Sequence, residues 1–461
     1  MNPALPRSLG QAGVLFGAAA LAVASAASAV ALGPAALALP AGALCVGLLV
    51  RHPPVLLAVF LHVGVFKGAP VFGALPVDVT AALGLLLAAV CLHRVLEGRV
   101  RPVPVGVAVP VAVIGILALL GLIWTPVPGY GTEKAAKFLT LTLLSATAAF
   151  FVIERRRDLR ELLWAVVALA VLAAGVSVAD PGSAEAGRLE FGGQDNTIFT
   201  SRLICSGALV LLLGSGLLAR RVWMRLALPL VALALVAVAA GIGSRGPLLS
   251  LVLALVCVFA VSLVRKPQQL LPALVIVAAA LAVFPLVTLP AASRERLQRT
   301  IENPSGSVQE DGRSALYGKA VDLTEQYPLR GIGTGGFFLY SYVLANQEEK
   351  YPHNIFLELS SELGIVPALV LGASVIALLF MFYRRTWLAG EEEDRRLYQV
   401  FAGLFLFQLF AVQFSGDMND NRTFWAMFGV AWLMARYGIP RDPPAATAGP
   451  ERPRALSSGR R

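Results

Sequence analysis

Residues 350–382 read KYPHNIFLELSSELGIVPALVLGASVIALLFMF. A short polar opening gives way to an apolar run long enough to cross a bilayer as a helix. The run nevertheless carries two carboxylates, Glu358 and Glu362. A charged side chain at the centre of a spanning helix costs about 2.5–3.5 kcal/mol unless it is paired or faces a wet interior. Asn354, Glu358 and Glu362 recur every fourth residue and so share one helix face. That face is expected to look into a bundle, toward arginine or water. Pro352 suits the first turn of a helix, where a missing N–H costs nothing. His353 and Asn354 then sit at the outer mouth of the helix, where the positive end of the helix dipole favours a neutral imidazole.

The rest of the chain has the same character. Of 461 residues, 57% are hydrophobic and 14% charged, and the mean hydropathy is +0.73. A soluble domain of this length needs more polar surface. Apolar runs recur at roughly 10–32, 35–50, 53–66, 78–96, 103–123, 138–153, 161–178, 203–219, 226–242, 247–264, 269–289, 354–382, 397–415 and 423–437. These make about fourteen spans, the short second and third being candidates for a re-entrant or merged pair. Continuous Leu/Ala/Val runs without alternation indicate helices, not barrel strands. The expected fold is therefore an all-α polytopic bundle. The ASAASA stretch (24–29) has the look of a leader cleavage site, but the run around it is long and is read as an uncleaved first helix.

The net charge of +10 is a matter of topology. With the amino terminus in the cytoplasm, alternating spans place ERRRDLR (154–160), RRVWMR (220–225) and the Arg-rich tail on one side. This is the positive-inside pattern facing anionic lipid, not a nucleic-acid footprint. Both termini come out cytoplasmic. Four divisions follow: N-terminal transmembrane helices (1–289), a large extracytoplasmic loop (290–353), C-terminal transmembrane helices (354–437) and a disordered cytoplasmic tail (438–461). Within the loop, a polar stretch opens with a short surface helix. Leu316, Ala320, Leu323 and Tyr327 then fall at helical spacing, as in an amphipathic helix lying on the membrane or the bundle.

Several chemistries are excluded. GIGTGG (331–336) fits a dinucleotide fingerprint in spacing, but it follows an amphipathic helix on the outer face and has no βαβ context. It reads as a turn. No Gly-Lys-Ser/Thr P-loop occurs, and no Cys/His spacing suits a metal. Cys45, Cys91, Cys205 and Cys257 lie in apolar runs and read as packing residues. No cofactor is expected.

What stands out is a set of cations near the outer boundary: Arg202 in TIFTSRLI, Arg245 in GIGSRGPLL and Arg313 in DGRSALY. Arginine offers a fork of donors matched to phosphate and keeps its charge. Together with His353 these residues suggest an anionic, membrane-borne substrate such as a lipid pyrophosphate; the alternative is interfacial anchoring. His52, His62 and His93 are assigned to packing or interface. TPVPGYGTEKAAKF (125–138) is an outer loop whose Lys134 and Lys137 either add to an anion funnel or, the preferred reading, are simply solvated.

DGRSALYGKAVDLTEQYPLRGIGTGGF (311–337) followed by YPHNIFLELSSELGIVP (351–367) resembles the signature region of the O-antigen ligase/O-antigen polymerase superfamily. LPVDVT (75–80), YGTEKAAKFLTL (130–141) and GSRGPLLSL (243–251) extend the resemblance over roughly residues 50–440. It implies a membrane glycosyltransferase of the bacterial inner membrane. Such an enzyme moves a glycan from an undecaprenyl-pyrophosphate carrier to a hydroxyl of a glycan, lipid or protein acceptor, with inversion and without metal. Carried over, the family histidine falls on His353 and the pyrophosphate arginines on Arg202 and Arg245. Arg313 opens the loop helix. His353 would orient or deprotonate the acceptor hydroxyl. Asn354, Glu358 and Glu362 would lie behind it, a glutamate holding an arginine in place. A polysaccharide or lipid-carrier transporter is the competing class. Transporters show related halves meeting at the midplane, and no repeat is evident here.

Overall fold

The computed structural model describes residues 38–67, 78–179, 197–218, 221–263, 313–340 and 351–441. The expected spans at 10–32 and 269–289, the polar start of the large loop and most of the tail lie outside the described residues. The described chain is helical throughout. Its helices are α1 (Ala38–Arg51), α2 (Pro53–His62), α3 (Val79–Leu96), α4 (Val105–Leu120), α5 (Pro128–Val152), α6 (Arg156–Ala179), α7 (Thr197–Leu218), α8 (Val222–Gly241), α9 (Arg245–Leu263), α10 (Arg313–Gln326), α11 (Ile355–Leu363), α12 (Ile365–Leu388), α13 (Glu392–Ala411) and α14 (Arg422–Tyr437). Seven of them are long and apolar enough to cross a membrane: α3 to α8 and α12.

The helix that organises the bundle is α7. Its most apolar window is 72% buried, against 28% for α3, whose outward leucines face the lipid side. Small residues let neighbours approach α7 closely, as is common where apolar helices pack without a hydrophobic gradient. A side chain at Gly207 would meet Ala170 of α6 at 2.3 Å.

Two breaks set up the functional end. Pro53 and Pro54 open α2 just after α1 ends, and the chain turns by 115° there. Proline cannot continue the hydrogen-bond ladder of the helix before it. The second and third apolar runs are thus a bent pair, one of the two forms expected. The second break corrects the reading of 354–382 as one continuous helix. Gly364 adopts φ 87° and separates α11 from α12. A Cβ there would lie 2.3 Å from the Leu329 carbonyl oxygen, so only glycine fits. Helix α11 also starts later than Pro352 suggests. Asn354 is its N-cap, its side chain accepting from the N–H groups of Phe356 and Leu357 at 3.0 and 3.1 Å.

The amphipathic loop helix α10 is present and packs on protein. Leu316, Ala320 and Leu323 are buried with Ile332 and Phe337. Thr324 donates to Ser360 of α11 at 3.0 Å. The glycine turn that follows is held firmly in place. Thr334 donates to the Ala118 carbonyl of α4 at 2.6 Å, and Thr125 donates to the Thr334 carbonyl at 2.8 Å.

At the opposite end of the bundle arginines and acids pair. Arg94 reaches Glu154 at 2.7 Å, Arg99 reaches the same carboxylate at 2.7 Å, and Arg156 contacts Glu391, Glu393 and Asp394 at the start of α13. This charged end lies where α3 finishes and α6 and α13 begin. Helices α7, α9 and α14 begin at the other end, and the polar features described next gather there.

Candidate functional site

The turn between α13 and α14, residues 412–421, is where the separate candidates meet. The Val412 carbonyl accepts from Ile355 N at 3.1 Å, which ties the turn to the segment carrying His353. The Gln413 carbonyl accepts from the Tyr317 hydroxyl at 2.9 Å, four residues after Arg313 on α10. Phe414 packs on Gly246, next to Arg245 at the start of α9. Asn421 Oδ1 accepts from Arg202 Nη1 at 2.7 Å. The segments carrying the three arginines and His353 therefore converge on one turn. Their roles differ in exposure: Arg202 is buried, Arg313 half-buried and Arg245 exposed.

Beside this turn lies a cavity of about 280 Å³. Its lining includes Arg202, Arg422, His62, Lys67 and Asp420 among apolar Leu61, Val65, Phe199 and Leu203. Arg202 is 3% exposed and meets only neutral acceptors, the side-chain carbonyls of Asn421 and of Gln408 at 3.1 Å. Its Nε, and Nη1 of Arg422, are buried without a hydrogen-bond partner. Ring faces hold both guanidiniums: Phe199 lies 5.6 Å from Arg202 and Phe60 lies 5.7 Å from Arg422. An unpaired buried cation costs several kcal/mol. Buried Arg202 and half-buried Arg422 beside one cavity, each with a buried unused N–H, make a place for an anion with several oxygens.

Lys67 is bound to Asp78 at 2.6 Å, and this contact holds the Asp78 carboxyl below the usual range. Asp420 is different. Its backbone N–H, like that of Asn419, donates to Asp417 Oδ1. Its own side chain is accessible yet surrounded by protein, as befits a group facing a cavity. Removal from bulk water and the neighbouring Asp417 charge push its carboxyl up to about 7, against the pull of Arg422, Lys137 and Lys134.

The glutamates of α11 correct two expectations. Neither holds an arginine. Lys134 Nζ lies 2.6 Å from Glu358 Oε1 and 2.8 Å from Glu362 Oε2, and all three side chains are buried. Glu362 Oε2 also accepts from Gly335 N at 2.9 Å, which locks the glycine turn to α11. The segment around Lys134 is correspondingly not a solvated loop. It is the first turns of α5, running on into the 138–152 span. A lysine stem can bury along apolar neighbours while its ammonium finds two carboxylates. Asn354 serves as a helix cap, and the cap fixes the direction in which His353 leaves the helix.

His353 is 7% exposed and is the one non-glycine residue among those described with a positive φ, 60°. Its ring stands edge-on to Tyr351 at 4.8 Å. It does not line the arginine cavity but neighbours it across the Ile355–Val412 contact. Backbone strain of this kind costs of order 1–3 kcal/mol and gathers at functional sites.

Arg422, Asp420 and His62 are the site residues that sequence reasoning missed. The signal was present in SGDMNDNRTFW (415–425), a dense polar run between two apolar ones. His62, expected in a packing or interface role, is buried and also lines the cavity.

No curated protein matches the chain. Among solved structures, a chain described under "Structural coordination of polymerization and crosslinking by a peptidoglycan synthase complex" aligns at 20% identity and a TM-score of 0.42. The alignment covers 72% of this chain and 97% of that one. Residues 230–371 match the family model described as O-Antigen ligase, a region that contains Arg245, Arg313, His353, Glu358 and Glu362. Seven helices long and apolar enough to cross a membrane, together with this match, mark the chain as an integral membrane protein in which residues 230–371 are similar to the O-antigen ligase family.

Proposed function

We propose that the protein transfers a glycan from an undecaprenyl-pyrophosphate carrier to an acceptor hydroxyl at the outer leaflet of the bacterial plasma membrane, with both termini cytoplasmic. The observation that carries this is the cavity lined by buried Arg202 and half-buried Arg422, whose Arg202 Nε and Arg422 Nη1 are buried and unused. At about 280 Å³ the cavity has room for a diphosphate. Leu61, Val65, Phe199 and Leu203 give the apolar wall that a carrier chain needs.

In this reading Arg202 and Arg422 stabilise the charge that grows on the departing pyrophosphate, work that a divalent cation does in other glycosyltransferases. Arg245 and Arg313, on segments that contact the 412–421 turn, draw the anionic carrier in. His353 orients the acceptor hydroxyl. Displacement of the pyrophosphate by that hydroxyl, from the opposite face of the anomeric carbon, inverts the configuration.

The test is the carrier-linked glycan pool of cells lacking the gene, with and without a copy bearing His353→Ala. Short single repeats building up on the carrier identify a polymerase. Full-length polymer on the carrier identifies a ligase. An unchanged pool in both strains would refute the reading.

A further inference from the structure

We propose that Asp420 is the group that receives the proton of the attacking acceptor hydroxyl. The proposal rests on the glycosyl-transfer reading above. It assigns a chemical role to a residue that lies outside the matched family region and apart from His353.

Asp420 is a carboxylate in the lining of a cavity whose other polar features suit an anion. If the cavity only bound pyrophosphate, this residue would oppose the ligand. As a counter-ion it would be expected to pair with an arginine, yet neither Arg202 nor Arg422 forms an ion pair with it among the described residues. No hydrogen bond to its carboxylate is recorded there either; what is fixed is its backbone, through Asp417. The backbone is thus anchored and the carboxylate is left with open acceptor capacity. A general base needs that combination.

Position supports the role. Asp420 lies two residues before Arg422, on the turn that also binds the His353 segment through Val412. The turn therefore spans from the pyrophosphate arginines to the residue expected to orient the acceptor. In an inverting displacement the leaving oxygen and the nucleophile lie on opposite sides of one carbon, a few ångström apart. The step balances simply. The acceptor oxygen bonds to the anomeric carbon and gives its proton to the Asp420 carboxylate. The carbon–oxygen bond to pyrophosphate breaks, and its electron pair leaves with the carrier pyrophosphate, held by Arg202 and Arg422. Water removes the proton once the product departs.

The charged and titratable groups around Asp420 are consistent with a base poised near neutrality. Asp417 on its own turn raises its proton affinity, as does removal from bulk water. Arg422 on α14 and Lys134 and Lys137 on α5 lower it. Arg202 on α7, and His62 and Lys67 beyond α2, share the cavity.

The experiment compares Asp420→Asn and Asp420→Glu with the wild type, using the full-length protein. Binding of inorganic pyrophosphate to purified protein is measured by calorimetry. Turnover is measured in membranes that supply the acceptor, as loss of the carrier-linked glycan isolated from deletion cells. The expected result for Asp420→Asn is a 10²–10⁴-fold fall in turnover, the typical worth of a general base, with pyrophosphate bound as tightly as before or tighter. Wild-type turnover at saturating carrier should rise with pH through neutrality, and Asp420→Glu should recover part of the rate. Weaker pyrophosphate binding in Asp420→Asn would overturn the proposal, because it would mean that Asp420 merely positions an arginine. So would turnover within a few-fold of wild type. If the wild type itself neither binds pyrophosphate nor consumes the glycan, the glycosyl-transfer reading fails, and this proposal with it.

Discussion

Lys134 Nζ sits 2.6 Å from Glu358 Oε1, and neither side chain has measurable exposure. Glu362 completes the cluster at 2.8 Å. Through it, α5 grips the short helix whose cap is next to His353. A buried ion pair is weak evidence of stability, but removing one partner strands the other charge. Lys134→Met should therefore destabilise by about 3–5 kcal/mol. The triple variant Lys134→Met/Glu358→Gln/Glu362→Gln should recover part of that loss. Thermal midpoints of the purified variants check both statements. A Lys134→Met midpoint equal to wild type would contradict them.

His353 allows stability and function to be separated. At φ 60° a β-branched side chain clashes with its own backbone, whereas Asn tolerates the conformation. His353→Val should lose about 1–2 kcal/mol more stability than His353→Asn. Both should lose glycan transfer. The comparison requires denaturation curves and the carrier-linked pool from the same two strains. Retained transfer in His353→Asn would remove the histidine from the chemistry.

The glycine turn is fixed by backbone, so substitution there acts sharply. A Cβ on Gly331, at φ 63°, would lie 2.2 Å from the Glu362 carbonyl oxygen. Gly331→Ala should lower the thermal midpoint and reduce the yield of inserted protein. Gly129→Ala, where nothing lies within 4 Å of the added carbon, should change neither. Equal yields and midpoints for the two would show that the turn is not packed as described.

Asp420 gives a signed pH dependence. Its carboxyl is held up to about 7, well above its value in an unfolded chain. Below that pH the carboxyl is neutral and the cavity loses its one acid, so anion affinity should rise as pH falls through 7. Stability follows the same sign. Between the unfolded and folded values the folded state binds more protons, so its advantage is present at low pH and is lost as pH rises through 7. Asp420→Asn should flatten both trends. Pyrophosphate titrations and melts from pH 5 to 9 read them out.

The helical bundle was legible because apolar length alone demands spans, and two prolines after His52 mark the bend between α1 and α2. The break at Gly364 was not legible: the run continues apolar on both sides, and only the close approach of Leu329 shows why a glycine is needed there. Glu358 and Glu362 were correctly expected to face inward, but their partner lies more than two hundred residues earlier in a segment that looks like a solvated loop. Nothing local distinguishes a lysine that will be buried by two distant carboxylates. The cavity was half visible. Arg202 stood out as a cation in an apolar run. Arg422 and Asp420 sit in a polar turn, where charges attract no notice until the fold brings that turn to Arg202.

In the proposed reaction Arg202 and Arg422 together hold the pyrophosphate of a lipid carrier. The most direct test is the thermal midpoint of the purified protein titrated with inorganic pyrophosphate, for wild type, Arg202→Ala and Arg422→Ala. A ligand at about one hundred times its Kd stabilises the folded state by about 2.7 kcal/mol. The wild-type midpoint should rise with pyrophosphate, and that rise should vanish in both variants. An equal rise in all three, or none in the wild type, would contradict the account.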